Sequence, residues 1–156
     1  MPDMKIATFL ERNDVTVAVP VGSKKEVLSA LVDLIVSNHA KLDREQLLQI
    51  LLKREELRST AIEQGVAFPH GRVPGLERLL ACFGRCRKGL DFDSFDGELT
   101  YFFFVLLIPE QAQGDHLKAL ARLNRLFQDT AFRQTLMDAT DANAIFAAIM
   151  AEDERT

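Results

Sequence analysis

His70 is the main candidate for a chemically active residue in this chain, because of its residue type and its sequence surroundings. It is one of three histidines and stands in the segment 65–75, GVAFPHGRVPG. Proline fixes its own φ and biases the preceding residue toward an extended conformation, so the apolar run before Pro69 is typical of a strand end. We therefore expect His70 in a loop at the mouth of a strand, where its imidazole is held in place and is chemically versatile near neutral pH.

Two further polar residues could join His70, because a Pro-His pair in a loop is not by itself a functional motif. His116 begins the helix predicted after the longest apolar run, and Arg54 ends the helix that precedes the His70 segment. All three can converge at one edge of a sheet, where the C-terminal ends of strands meet the N-termini of helices. Helix N-termini present unpaired N–H groups, so such an edge favours a bound anion.

The helices that must position these residues are predicted from capping signals followed by apolar stripes. Ser23 with Glu26 and Asp43 with Gln46 have the capping-box spacing, and each pair begins a helix. The remaining helices are predicted to begin at 114 and to cover 130–137 and 141–150.

Strands are predicted from alternating or continuous apolar residues over 15–19, 79–86, 90–92 and 99–108. The last run is almost continuously apolar, which is typical of a strand covered on both faces, and a proline ends it. Strands mixed with helices indicate an α/β fold. We expect a single domain over residues 1–156, with a frayed tail over 152–156.

Composition excludes several classes of protein. The chain is 47% hydrophobic and 27% charged, which is typical of a soluble globular domain, and its formal net charge of −4 gives no electrostatic reason to bind nucleic acid. The apolar run 99–108 is too short to span a bilayer, and the N-terminus lacks the apolar stretch of a signal peptide. We expect a cytoplasmic protein with no nucleic-acid partner and no membrane insertion.

Cysteines and histidines give little indication of a metal or redox site. Cys82 and Cys86 are four residues apart in a predicted strand, so their side chains point to the same face of the strand. At that spacing the two sulfur atoms are too distant to form a disulfide. We expect two buried thiols, no metal and no cofactor. A metal site built from His70 and His116 is a minor alternative, because no clear third ligand accompanies them. We expect His39, near the end of the first helix, at the surface.

Five segments of the chain match one known family. They are LRST at 57–60, GVAFPHGR at 65–72, FDSFD at 92–96, FVLLIPE at 104–110 and HLKAL at 116–120. Through them the chain resembles the enzyme IIA domains of the mannitol/fructose class of the bacterial phosphotransferase system, most closely the stand-alone nitrogen-regulatory form. The resemblance extends from about residue 28 to residue 149 and implies a central mixed β-sheet with helices on both faces.

The resemblance also implies a phosphocarrier that needs no cofactor. His70 matches the family's phosphorylated histidine, which would accept a phosphoryl group from HPr or its nitrogen-branch counterpart. His116 matches the second histidine beside it, and Arg54 matches the arginine that holds the phosphoryl group. Further binding roles are expected for Arg72, Ser59 and Thr60.

A regulatory role is the expected purpose of this phosphorylation, with the state of His70 deciding which protein is bound. One alternative is a sugar-specific enzyme IIA that passes phosphate to a IIB protein in fructose/mannitol-type uptake. Another is a protein-binding module that is never phosphorylated. Arg58 and the segment 61–64, AIEQ, depart from the family pattern, in which glycines are usual. The departure predicts a stiffer loop, with Glu63 adding negative charge near the site.

Overall fold

The computed structural model, which describes residues 4–156, is built around one mixed β-sheet with helices on both faces. The strands are β1 (Leu10–Thr16), β2 (Val66–Ala67), β3 (His70–Val73), β4 (Leu80–Leu90) and β5 (Thr100–Pro109). The helices are α1 (Lys24–Asn38), α2 (Arg44–Leu57), α3 (Asp115–Phe127), α4 (Thr130–Asp138) and α5 (Ala142–Arg155). The predicted α/β architecture is confirmed.

Strand β5 lies at the centre of the sheet. It pairs antiparallel with β4 on one side and parallel with both β2 and β3 on the other, while β1 pairs parallel with β4 at the far edge. Side chains that alternate along β5 enter two separate cores. Phe102 and Phe104 pack with the α3–α5 layer, whereas Phe103 and Val105 pack with the α1–α2 layer. The prediction that both faces of this strand are covered is correct.

Two strand predictions need correction. The first strand begins at Leu10 and ends at Thr16, so the alternating residues that follow it lie outside the sheet. The two strands predicted over 79–86 and 90–92 are one continuous strand, β4, which ends at Leu90. The polar residues that divide the sequence pattern lie at an irregularity in the β4–β5 pairing, where Gly89 has a φ of 75°.

The capping signals predict the starts of α1 and α2 correctly. The Ser23 side chain accepts a hydrogen bond from the Glu26 N–H, and the Glu26 carboxylate accepts one from the Ser23 N–H, which completes a capping box. Asp43 accepts a hydrogen bond from the Gln46 N–H.

Both cysteines are buried, as expected. Among residues 4–156, no helix has the length and apolarity that a membrane crossing requires.

The tail predicted to fray is instead helical, since α5 continues to Arg155. Asp153 is only 3% exposed, and its Oδ1 lies 2.6 Å from Nε of the equally buried Arg122.

A second correction concerns His39, which was expected at the surface. Its Nε2 lies 2.8 Å from Oδ2 of the buried Asp14, because that carboxylate needs partners inside the protein.

Candidate functional site

His70 is the first residue of β3 rather than part of a loop, which corrects its predicted placement. It lies opposite Leu106 in the register with β5, and the preceding Pro69 carbonyl accepts a hydrogen bond from the Leu106 N–H at 2.9 Å. The central strand therefore fixes the backbone on both sides of the imidazole. The ring itself is only partly buried and remains open to an incoming group.

The His70 ring makes one hydrogen bond that determines where its proton lies. Nδ1 is 2.8 Å from the Phe68 carbonyl oxygen. A carbonyl only accepts, so Nδ1 donates, and in the neutral ring Nε2 keeps its lone pair. The geometry therefore leaves the Nε2 lone pair free of this hydrogen bond.

The surroundings of His70 lower the pKa of its imidazole below the ordinary value. Partial burial is the largest cause; the hydrogen bond to the Phe68 carbonyl opposes it. The positive charge of Arg54 lowers the pKa further, the Glu55 carboxylate raises it, and His116 has a small lowering effect. His70 is therefore neutral at pH 7, the state in which an imidazole can attack.

We expect the titration midpoint of His70, measured from its ring protons by NMR, to lie below 6.5. Between the folded pKa and 6.5 only the unfolded chain binds this proton, so the free energy of unfolding falls as the pH drops through that window. Above the window, both states are neutral and His70 contributes no pH dependence. The urea-unfolded chain is the control, and a folded midpoint equal to its midpoint would contradict the prediction.

Arg54 lies on the last turn of α2, which packs closely against β3. A Cβ placed on Gly71 would come within 2.4 Å of Cγ2 of Ile50, so only glycine permits this approach. Arg54 follows Ile50 by one helical turn and thus lies on the same side of α2. Its Nη1 donates to the Arg58 carbonyl at 2.7 Å, which holds the guanidinium at the end of the helix.

Gly71→Ala is expected to destabilise the domain by about 1–3 kcal/mol, because the added methyl group must push α2 away from β3. The change is measured by urea unfolding. Gly22→Ala is the matched control, since its Cβ would meet only the flexible end of the Glu26 side chain. Equal stability of the two variants would show that α2 does not need this close approach.

His116 is the second residue of α3, which begins after Gly114. Its Nδ1 is buried and finds no hydrogen-bond partner among residues 4–156. Burial and the nearby positive charge of Arg72 lower the pKa of the ring, while Asp115 opposes them. A buried N–H without an acceptor is unfavourable, so the neutral ring carries its proton on Nε2, where it can donate.

Arg72 is exposed and connects β3 to the segment that leads into α3. Its Nη1 donates to the carbonyl oxygens of Glu110 at 2.9 Å and Ala112 at 3.2 Å. Arg72 thereby holds the β5–α3 connection, and through it the start of the helix that carries His116. Its predicted contact with a phosphoryl group or a partner stays a prediction.

The hydroxyl groups of Ser59 and Thr60 already donate hydrogen bonds within the protein. Ser59 Oγ donates to the Phe92 carbonyl at 2.7 Å, and Thr60 Oγ1 donates to the Glu55 carboxylate. We assign both residues to holding the segment after α2. Their predicted contact with a phosphoryl group stays a prediction.

Sequence reasoning missed Glu55 and its partner Lys24. Glu55 lies within the charged run 53–58, KREELR, which is typical of a solvated helix end. It is nevertheless 7% exposed and makes an ion pair with Lys24 at 3.2 Å. The one signal was spacing: position 55 follows the buried Leu51 by four and so lies on the core face of α2.

The loop that departs from the family pattern takes an unusual backbone conformation. Gln64 has a φ of 71° and Gly65 a φ of 75°, so two successive residues lie in the left-handed region. Glycine adopts this region without strain, whereas glutamine does not. Glu63 is exposed. The expectations of a stiffer loop and of an effect of Glu63 on the site stay predictions.

In the described part of the chain, three side chains have donor atoms close enough together to hold a metal ion. They lie at the β1 edge of the sheet, opposite the edge that carries His70. They are Glu11, Asp14 and His39. His39 and Asn38 already hydrogen-bond Asp14, and Arg78 pairs with Glu11. His70 and His116 are not part of this cluster.

Comparisons with known proteins identify relatives along nearly the whole chain. Residues 8–152 match the model of the family described as "Phosphoenolpyruvate-dependent sugar phosphotransferase system, EIIA 2". A nitrogen regulatory protein of Bradyrhizobium diazoefficiens is 38% identical over 94% of this chain and 95% of its own length. A fructose-specific EIIABC component of Bacillus subtilis is 29% identical over 97% of this chain, which spans 24% of that protein. The crystal structure of nitrogen regulatory protein IIA-Ntr from Neisseria meningitidis superposes with a TM-score of 0.84 at 33% identity, covering 92% of this chain and 98% of that one.

Proposed function

The chain belongs to the EIIA 2 family of the phosphoenolpyruvate-dependent sugar phosphotransferase system, and we propose that it is a phosphocarrier whose acceptor atom is Nε2 of His70. The hydrogen bond from Nδ1 to the Phe68 carbonyl carries this proposal, because it leaves the lone pair on Nε2 of a partly exposed ring that is neutral at pH 7. The proposed donor is phosphorylated HPr or its nitrogen-branch counterpart.

In the proposed transfer, the His70 lone pair attacks phosphorus in line with the nitrogen–phosphorus bond of the donor's phosphohistidine. That bond breaks as the new one forms, and its electron pair returns to the donor nitrogen. The His70 ring becomes positively charged as its Nε2 bonds to phosphorus. The Phe68 carbonyl stabilises this charge by accepting from Nδ1–H.

Arg54 and His116 are proposed to stabilise the phosphoryl oxygens. Arg54 brings a permanent positive charge and a planar array of N–H donors, of which Nη1 already holds the Arg58 carbonyl. His116 would donate one hydrogen bond from Nε2–H. Such groups accelerate transfer when they meet charge that develops in the transition state.

The proposed purpose of the phosphoryl group is regulation of partner binding. Exposed apolar side chains follow both supporting residues closely: Leu57 comes three residues after Arg54, and Leu117 directly follows His116. Phosphorylation would add a negatively charged phosphoryl group close to these residues, which is enough to make or break an interface. The relatives named nitrogen regulatory proteins support this role. The proposed donors receive their phosphoryl group from phosphoenolpyruvate, so we propose that this chain acts in the cytoplasm.

The test is a phosphotransfer assay with the purified chain, enzyme I, labelled phosphoenolpyruvate, and either HPr or its nitrogen-branch counterpart. We expect acid-labile, base-stable label, which is the behaviour of phosphohistidine. His39→Gln is the control, because His39 pairs with Asp14 at the other edge of the sheet and should leave labelling intact. No label from either carrier would overturn the proposal and favour a binding module that is not phosphorylated.

A sugar-specific role is the second candidate, since the chain matches a fructose-specific EIIABC component along 97% of its length. A fructose-specific IIB protein added to the labelled chain separates the two roles. Rapid passage of label to IIB would favour sugar uptake. Retention of the label, together with phosphorylation-dependent capture of another protein, would favour regulation.

A further inference from the structure

The buried carboxylate of Glu55 is near the proposed acceptor, His70, but its hydrogen bonds go to other residues. The Glu55 side chain is 3% exposed and accepts hydrogen bonds from the Thr60 N–H at 3.2 Å, from Thr60 Oγ1 and from Lys24 Nζ at 3.2 Å. A buried carboxylate is unfavourable unless it is paired and hydrogen-bonded throughout. A carboxylate at the end of a helix could be exposed to solvent instead, so the burial of Glu55 needs an explanation.

A series of hydrogen bonds leads from Glu55 to the His70 ring through the backbones of Thr60 and Phe68. Thr60, which donates to Glu55, accepts from the Phe68 N–H at its carbonyl oxygen, 3.0 Å away. Phe68 in turn accepts from His70 Nδ1 at 2.8 Å. Thr60 and Phe68 are both buried, so water does not compete for these bonds. Each bond therefore restrains the backbone position of the next residue in the series.

Lys24 anchors the far end of this chain of hydrogen bonds. Its Nζ lies 3.2 Å from Glu55 and 3.2 Å from Asp93, and it stands 4.9 Å from the centre of the Phe92 ring. Lys24 donates to Oε1 of Glu55, while Thr60 Oγ1 donates to Oε2, so both carboxylate oxygens have partners. These partners restrain the carboxylate, which in turn holds the Thr60 N–H.

We propose that Glu55 is a positioning residue for His70: it holds the backbone of Thr60, and through it the backbone of Phe68, so that the Phe68 carbonyl keeps the ring proton on Nδ1 and leaves Nε2 free to accept. This inference rests on the proposed function, in which Nε2 is the acceptor. Glu55 makes no hydrogen bond with the ring and acts through the backbones of these two residues. Its negative charge also opposes the lowering of the His70 pKa by burial and by Arg54.

The experiment compares Glu55→Gln with the unmodified chain by nitrogen-15 NMR of the His70 ring. The unmodified chain is expected to show the proton on Nδ1. Glu55→Gln is expected to show a mixture of the two tautomers and a lower His70 pKa, because the fixed acceptor and the negative charge are both lost. The rate of phosphoryl uptake should fall about tenfold, the lower end of the effect that loss of an outer hydrogen-bond partner has on a site.

Asp14→Asn is the matched control. Asp14 is also a buried carboxylate, bonded to Asn38 and His39, but it lies on β1 at the opposite edge of the sheet. We expect it to lower stability while leaving the His70 tautomer, pKa and uptake rate unchanged. Thr60→Val, which keeps the shape of the side chain, is the second variant should Glu55→Gln fail to fold. Its expected tautomer shift has the same direction and is smaller.

Two results would overturn the proposal. Glu55→Gln with lowered stability and an unchanged tautomer would show that Glu55 only anchors the end of α2. A slower uptake with an unchanged tautomer would place its effect on the phosphoryl group or the donor instead. The ring spectra need no phosphoryl transfer, so a chain that accepts no label would overturn the proposed function while the positioning role is still decided by NMR.

Discussion

His70→Gln abolishes phosphoryl acceptance: this is the expected result with the largest effect, a fall of at least about 10⁴-fold in the rate of labelling. An amide nitrogen has no lone pair available for attack on phosphorus, so no residual activity should come from position 70. Glutamine is polar and similar to histidine in size, so the fold should be retained. Labelling from phosphoenolpyruvate through enzyme I and the carrier measures the loss, and urea unfolding checks the fold.

His116→Ala is the companion variant that separates a reacting histidine from a supporting one. Removal of one donor to the phosphoryl oxygens is expected to slow uptake by about 10²- to 10³-fold, with label still accumulating on His70. The proposed roles would be contradicted if His70→Gln kept base-stable label, because the acceptor would then be another histidine. A complete loss of that label in His116→Ala would then identify His116 as the acceptor.

Asp153→Asn has the largest expected effect on stability, a loss of about 3–5 kcal/mol in the free energy of unfolding. The Asp153 carboxylate accepts from Arg122 Nε at 2.6 Å and from the Ala7 N–H at 3.2 Å, and its carbonyl oxygen accepts from Lys5 Nζ at 2.7 Å. Asparagine would remove the negative charge that faces Arg122, which is 2% exposed, and would weaken the hydrogen bond to its Nε in the interior. Such a loss is a large share of the total stability of a domain of this size.

Guanidinium chloride unfolding measures this loss, with Glu154→Gln as the control. Glu154 is the exposed neighbour on the same helix, so its variant should stay within about 0.5 kcal/mol of the unmodified chain. Truncation after residue 151 removes Asp153 together with the rest of the tail and should destabilise at least as much as the substitution. A truncated chain of full stability would restore the original expectation of a frayed tail.

Local signals in the sequence predicted much of the scaffold. The capping box at Ser23, the N-cap at Asp43 and the continuous apolar run of β5 each act within a few residues, so each can be recognised without knowing the fold. The family resemblance likewise rested on short segments, and the family match confirms it. The same local reasoning divided β4 in two, because polar residues at a bulge look like the end of a strand.

The functional surroundings of His70 are only partly local. The Phe68 carbonyl that orients the ring lies two residues away, and the Pro69 between them constrains the backbone. The approach of Arg54 depends on Gly71 and Ile50, which lie 21 positions apart and meet only when α2 packs on β3. Sequence could therefore name His70, but the geometry that makes Nε2 the free atom required the fold.

The sequence by itself determined the α/β class, the starts of the first two helices and the family. Only the tertiary structure decided the fate of the charged residues, because a charge is buried or exposed according to partners that are remote along the chain. Glu55 pairs with Lys24 across 31 positions, Asp153 with Arg122 across 31, and Asp14 with His39 across 25. Periodicity and capping act over one or two helical turns, whereas a buried ion pair forms only after packing has brought distant elements together and excluded water from between them.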